Sequence, residues 1–183
     1  MRLFVSVDLD GLAAEIAAVQ EAVADASGVR LTDPENVHVT LKFLGEVEEE
    51  RVPALTTELA AAIDESGVGP FVAAFGGLGA FPSEEYIRVL WVGVHEGGDE
   101  LARLHEAIED RTVEMGFDPA DHEFTPHATI ARMDHAGGKE RVQRALRETD
   151  PTVGTLDVRE VRLTESVLND DGPEYTTVER FEL

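Results

Sequence analysis

The sequence contains no cysteine. That excludes disulfides and thiolate metal sites, and it leaves the redox compartment open. Lysine is nearly missing too: Lys42 and Lys139 are the only two, and arginine supplies the other bases. No apolar run is long enough to cross a bilayer. The opening "MRLFVSVDLDG" meets an acid within ten residues and has no cleavable apolar segment. The expectation is a soluble, cytoplasmic protein without a membrane partner. Acid, by contrast, is in excess. The chain carries 38 Asp and Glu against 15 Lys and Arg, a net charge of -23. These acids are spread over prospective helices and turns, not gathered in a tail. One reading is an acidic interaction protein that avoids polyanions. The spread favours the other reading, adaptation to a salt-loaded cytoplasm. In molar salt the Debye length is about 3 Å, so global repulsion need not exclude an RNA ligand.

With 183 residues, 43% of them hydrophobic, the chain can bury one sizeable core. "RLFVSVDL" reads as a strand, with Asp10 as N-cap of a following helix. In that helix Leu12, Ile16, Val19 and Val23 recur at helical spacing, and Gly28 ends it. The strand "VHVTLKFL" comes next. A helix follows from about Glu49, with Val52, Leu55, Leu59 and Ile63 as its stripe. "PFVAAFGGLGAFPSE" reads as a strand leaving into a Gly- and Pro-marked loop. The pattern then restarts. "YIRVLWVGV" is a strand, and the next helix has Leu101, Leu104, Ile108 and Met115 on one side. "FTPHATIAR" is a strand, "GKERVQRALRE" a short helix, and two stretches close the chain as strands. Strand, helix, His-x-Thr strand, helix, strand thus occurs twice, about Met1–Ala80 and Tyr86–Leu183. The expected fold is α+β over residues 1–183. It has two pseudo-symmetric, interleaved lobes, each a sheet flanked by helices, with the two motifs facing a central cleft.

In a strand, residues i and i+2 point the same way. His38 and Thr40 therefore share a face, and so do His127 and Thr129. Val37, Val39, Leu41 and Phe43 take the other face of the first strand. Two imidazoles across one cleft suit in-line displacement at phosphorus. One takes a proton from the attacking water and the other gives a proton to the leaving oxygen. An ordinary histidine titrates near pH ~6.5, so the two can hold opposite protonation states near neutrality. Threonine hydroxyls can stabilise phosphate oxygens as charge develops. The scheme needs no metal and no cofactor. A lone His-x-Thr is more often structural; two matched copies favour function. Neither motif carries a second histidine or a carboxylate at i+2 or i+4, which disfavours metal ligation. His122 and His135 lie in polar turn-like stretches, while His95 and His105 read as strand-end and helix-surface residues. Lys42 shares the face of His38 and is expected to add positive charge at the cleft edge. Strict alternation puts Arg132 opposite His127. It joins the site as a phosphate clamp only if the strand ends or bulges near Ala131.

At "HVTLKFLG" and "PHATIAR" the sequence resembles the 2H phosphoesterases, and among them the RNA 2′,3′-cyclic phosphodiesterases of the 2′-5′ RNA ligase family. "RLFVSVDL", "RVLWVGV" and "LTESVLNDDGPEYTTVERFEL" extend the resemblance over essentially the whole chain; Ile130 stands where leucine is usual. The resemblance implies a two-lobed α+β fold. It also implies metal-independent hydrolysis of an RNA 2′,3′-cyclic phosphate end to a 2′-phosphomonoester. His38 would be the proton donor to the 3′ oxygen and His127 the base. Thr40 and Thr129 would hold phosphate oxygens, with Arg132 assisting. The family name also records joining of tRNA halves by a 2′-5′ linkage, the reverse chemistry. The expected partner is RNA with a cyclic phosphate end, tRNA fragments among the candidates, and the expected state a monomer. A nucleotide-binding module without turnover and a phosphodiesterase on small cyclic nucleotides remain open alternatives.

Overall fold

The computed structural model describes residues 1–183. Nine strands run in chain order: β1 (Arg2–Asp8), β2 (Val29–Leu31), β3 (His38–Glu46), β4 (Phe71–Pro82), β5 (Ile87–Glu96), β6 (His127–Met133), β7 (Thr152–Val158), β8 (Glu160–Asn169) and β9 (Gly172–Glu182). Four helices join them: α1 (Ala13–Gln20), α2 (Val52–Glu65), α3 (Gly98–Glu114) and α4 (Lys139–Glu148). The strands form one antiparallel path, β7-β4-β5-β6-β3-β1-β8-β9, with β2 on β6. At its middle β3 and β6 share a single residue pair, Val39 with Ala128. The sheet is therefore two four-stranded arms meeting at a thin seam, and the two motif strands line that seam.

The arms are not the sequence halves. β4, from the first half, lies beside β5; β8 and β9, from the second, lie outside β1. Helices cross over in the same sense. α1 packs on β6 and β7, while α3 packs on β3 and on α2. The helix stripes supply the reason: Leu12, Ile16, Leu55, Leu59, Ile63, Leu101, Leu104 and Ile108 are buried. They meet the inward faces of the strands, including Leu3, Val5 and Val7 of β1, and Leu90 and Val92 of β5, in one continuous core. Each such side chain contributes about 1.5–3 kcal/mol by leaving water.

Three expectations need correction. α1 ends at Gln20, so Val23 and Gly28 lie in the turns beyond it. Asp10 does not cap α1. A short 3₁₀ turn (Asp10–Leu12) precedes that helix without a side-chain cap, and the Asp10 carboxylate instead accepts from Arg162 at 3.1 Å. The glycine-marked segment is no loop either: β4 runs straight through it. Its register slips between Gly76 and Leu78, where Gly77 takes φ +71°, so the irregularity is absorbed as a bulge. Gly79 is required by packing. Trp91 lies over it so closely that a Cβ would come within 2.1 Å of the indole.

Candidate active site

β3 and β6 deviate from ideal strands at the same place. On β3, Ser6 pairs with Thr40 but Val5 pairs with Lys42, leaving Leu41 as an extra residue. On β6, Trp91 pairs with Thr129 but Leu90 pairs with Ala131, leaving Ile130 extra. Each bulge falls three residues after its histidine. Alternation inverts beyond it. Leu41 and Lys42 both turn to the core side and Phe43 turns out, 69% exposed; Ile130 and Ala131 are buried and Arg132 turns out.

This places the candidate residues. His38 and Thr40 share one face of β3, and His127 and Thr129 the same face of β6. Extending the Val39–Ala128 register by one residue sets His38 toward Thr129 and Thr40 toward His127. Facing side chains on antiparallel strands stand about 5 Å apart at Cβ, and diagonal ones about 7–8 Å. By that register the four side chains face one another across the seam. Arg132 meets its condition: the bulge at Ile130 brings it to the cleft face, where its charge acts on both His38 and His127. Lys42 does not join. The bulge at Leu41 turns it inward, 5% exposed, where Nζ donates to Glu109 Oε2 at 2.7 Å and to the Asp118 carbonyl at 2.6 Å.

The histidines are held alike. His38 Nδ1–H donates to the Asn36 carbonyl at 2.7 Å, and His127 Nδ1–H to the Thr125 carbonyl at 2.6 Å. A carbonyl can only accept, so both Nδ1 atoms carry the hydrogen and both Nε2 atoms are left for chemistry. His38 stacks on Phe4 (4.8 Å between centroids), with Tyr175 edge-on at 5.5 Å. His127 lies edge-on to Phe81 at 4.9 Å, with Trp91 at 5.8 Å. Burial lowers the pKa of both below the usual histidine value. Their charged neighbours differ. Asp8, which pairs with His38 across β1, favours the protonated form of His38 against Arg132 and His127, whereas His127 has only His122 and Arg132 as charged neighbours, and both disfavour it. Asp8 is itself anchored by the Ser6 hydroxyl at 2.7 Å and by Arg162 at 2.8 Å.

The bulges are secured from the helices. The Leu41 carbonyl accepts from His105 Nδ1 on α3 at 2.7 Å, and the Ile130 carbonyl accepts from Gln20 Nε2 on α1 at 2.9 Å. His105 is consequently not a plain surface residue; it is half-buried and stacked on Phe124 at 4.3 Å. No three His, Asp or Glu side chains converge as metal ligands would. Sequence reasoning missed Asp8, Gln20, His105 and the aromatic walls. None carried a local signal, since Asp8, Gln20, His105 and the wall aromatics Phe4, Phe81, Trp91 and Tyr175 all lie outside the two motif strands in the chain.

Residues 8–170 match the model of the 2′-5′ RNA ligase superfamily. A curated protein of Archaeoglobus fulgidus named RNA 2′,3′-cyclic phosphodiesterase is 36% identical over 183 residues, covering 100% of both chains. One of the same name from Methanothermobacter thermautotrophicus is 34% identical, covering 100% of this chain and 99% of the other. A solved structure from Thermus thermophilus superposes with TM-score 0.83 at 29% identity, over 100% of this chain and 98% of that one. Escherichia coli LigT, solved with 3′-AMP, superposes with TM-score 0.81 at 23% identity over 100% and 97% of the two chains, a likeness of fold.

Proposed function

From a chain that belongs to the 2′-5′ RNA ligase superfamily, we propose the hydrolysis of RNA 2′,3′-cyclic phosphate ends to 2′-phosphomonoesters by two histidines acting across the seam. One observation carries the mechanism: two imidazoles of the same tautomer, each leaving Nε2 free, face one volume from opposite strands. His127 Nε2 takes a proton from water as its oxygen attacks phosphorus. The bond from phosphorus to O3′ breaks, and His38 Nε2–H gives its proton to that oxygen. His38 is assigned as the donor because Asp8 across the strand partly offsets the burial that lowers its pKa, an offset His127 lacks. Thr40 and Thr129 donate to the non-bridging oxygens. Arg132 neutralises the charge that grows on them. Lys42 has no part in binding, because its amine is already satisfied by Glu109 and Asp118.

Joining of RNA ends through a 2′-5′ linkage uses the same groups, with a ribose hydroxyl at the place of water. The protein is read as a cytoplasmic monomer, tRNA fragments are candidate substrates, and the net charge of -23 supports a salt-loaded cytoplasm as its setting. The test is end-group analysis of an oligonucleotide ending in a 2′,3′-cyclic phosphate. The expected product is solely the 2′-phosphomonoester, formed equally fast after EDTA. A 3′-phosphomonoester, or loss of turnover restored by a divalent ion, would overturn the assignment.

A further inference from the structure

Beyond the seam, Arg132 also lines a second cavity of about 400 Å³ at the open ends of β2, β5 and β6. Its wall carries Arg30, Arg88 and Lys139 as well. Four cations against two acids, Glu85 and Asp134, make this wall net positive in a molecule with 38 acids and 15 bases. Arg30 lies across from Arg132 in the β2–β6 register. Like charges directly opposed on neighbouring strands cost stability unless an anion intervenes. Asp134 balances only Arg30, at 3.2 Å. Arg88 spends its guanidinium on a neutral group, donating to the Tyr86 hydroxyl at 3.1 and 2.9 Å and standing 5.2 Å from that ring. Tyr86 is 57% exposed. Arg88, Arg132 and Lys139 form no ion pair, although carboxylates are everywhere on this surface.

We propose that this cavity is a subsite for the RNA strand leading to the reacting end. Arg88, Lys139 and Arg30 would hold one or two upstream phosphates, Tyr86 would offer a ring to a base, and Arg132 would join this subsite to the catalytic volume. Unpaired cations beside an exposed aromatic are the general recipe for single-stranded nucleic acid. Close approach matters here, since in molar salt a guanidinium acts over only about 3 Å. The subsite rests on the RNA reading of the seam, and it turns the enzyme's preference from cyclic mononucleotides to oligonucleotides.

The experiment compares Arg88→Glu and Lys139→Glu with wild type on two substrates, a short oligonucleotide and a mononucleotide, each with a 2′,3′-cyclic phosphate. Binding of an oligonucleotide ending in a 3′-phosphate is titrated in parallel against salt. Each variant should raise the oligonucleotide KM about tenfold, the worth of a charge-assisted hydrogen bond. The mononucleotide KM should stay put, and the salt slope should fall by about 0.7 for each phosphate no longer neutralised. An unchanged oligonucleotide KM, or an equal loss on both substrates, overturns the subsite. So does a polyglutamate peptide that competes as well as RNA. If wild type hydrolyses neither substrate yet Arg88→Glu still weakens oligonucleotide binding, the proposed reaction fails and the subsite stands. Should a reversal variant not fold, the paired Arg88→Gln, Lys139→Gln protein gives the same readings.

Discussion

Arg132 and Lys42 are each the second or third residue past the threonine of a motif, yet one bulge geometry sends them in opposite directions. Arg132→Ala should cost kcat/KM on the order of 10²-fold, because a charge aimed at the phosphoryl oxygens is lost. Lys42→Met should leave KM near the wild-type value and lower stability. Removing it strands Glu109, whose pKa is held down by the Lys42 hydrogen bond and the Ala120 N–H against its burial. The loss should be on the order of 2–4 kcal/mol in denaturant melts. A raised KM with unchanged stability would return Lys42 to the cleft. The histidines add a pH effect. Burial lowers both pKa values relative to the unfolded chain, where histidine titrates near ~6.5. Between the lowered and ordinary values the unfolded chain binds more protons. The stability present above pH ~6.5 is therefore lost as pH falls through that window. Phosphate added to the protein should oppose the loss, because an anion in the cleft raises both values.

The elements that matter are two bulged strands and the helices that pin them. A bulge frees one carbonyl from the ladder, and a buried free carbonyl is costly. His105 from α3 satisfies Leu41, and Gln20 from α1 shares the Ile130 carbonyl with the Thr32 N–H at 2.9 Å, so each motif strand is braced by a helix of the other half. Replacing His105 by leucine should cost about 1–3 kcal/mol, and replacing Gln20 about 0.5–1.5 kcal/mol because the Thr32 N–H still holds the Ile130 carbonyl. It should also lower kcat more than KM, because the histidine three residues upstream loses its register. Normal kcat in either variant would mean that the bulges hold themselves. These hydrogen bonds also mark where the sequence stops being legible. Period-two alternation places His38 with Thr40 and His127 with Thr129, since nothing interrupts those three residues. It fails one residue later. Leu41 and Ile130 are apolar on either face, so the bulges leave no trace in the pattern, and Phe43 and Lys42 are assigned to each other's sides. Glu109, 67 residues from Lys42, is supplied only by the fold. Interleaving of the lobes is expected from the sequence, but which strands are exchanged, β4 for β8 and β9, is set by pairing partners that the alternation does not specify.

At the scale of the molecule, one motif strand from each half of the sequence meets the other at a seam held by a single residue pair, with a net charge of -23 around it. Such a surface repels itself in dilute buffer. Melting temperature and activity should fall at low ionic strength and recover in molar potassium chloride; full stability in dilute buffer would remove the halophilic reading and leave the chemistry intact. The division of labour across the seam is tested most directly by the single-turnover rate against pH for wild type, His38→Ala, His127→Ala and the double variant. Wild type should give a bell. His127→Ala should lose its rising limb and His38→Ala its falling limb, each with a rate loss on the order of 10²–10⁴. The double variant should be little slower than the slower single one, since both groups serve one displacement. A loss of less than tenfold in either single variant, or a bell that survives both, would contradict catalysis by one histidine from each half.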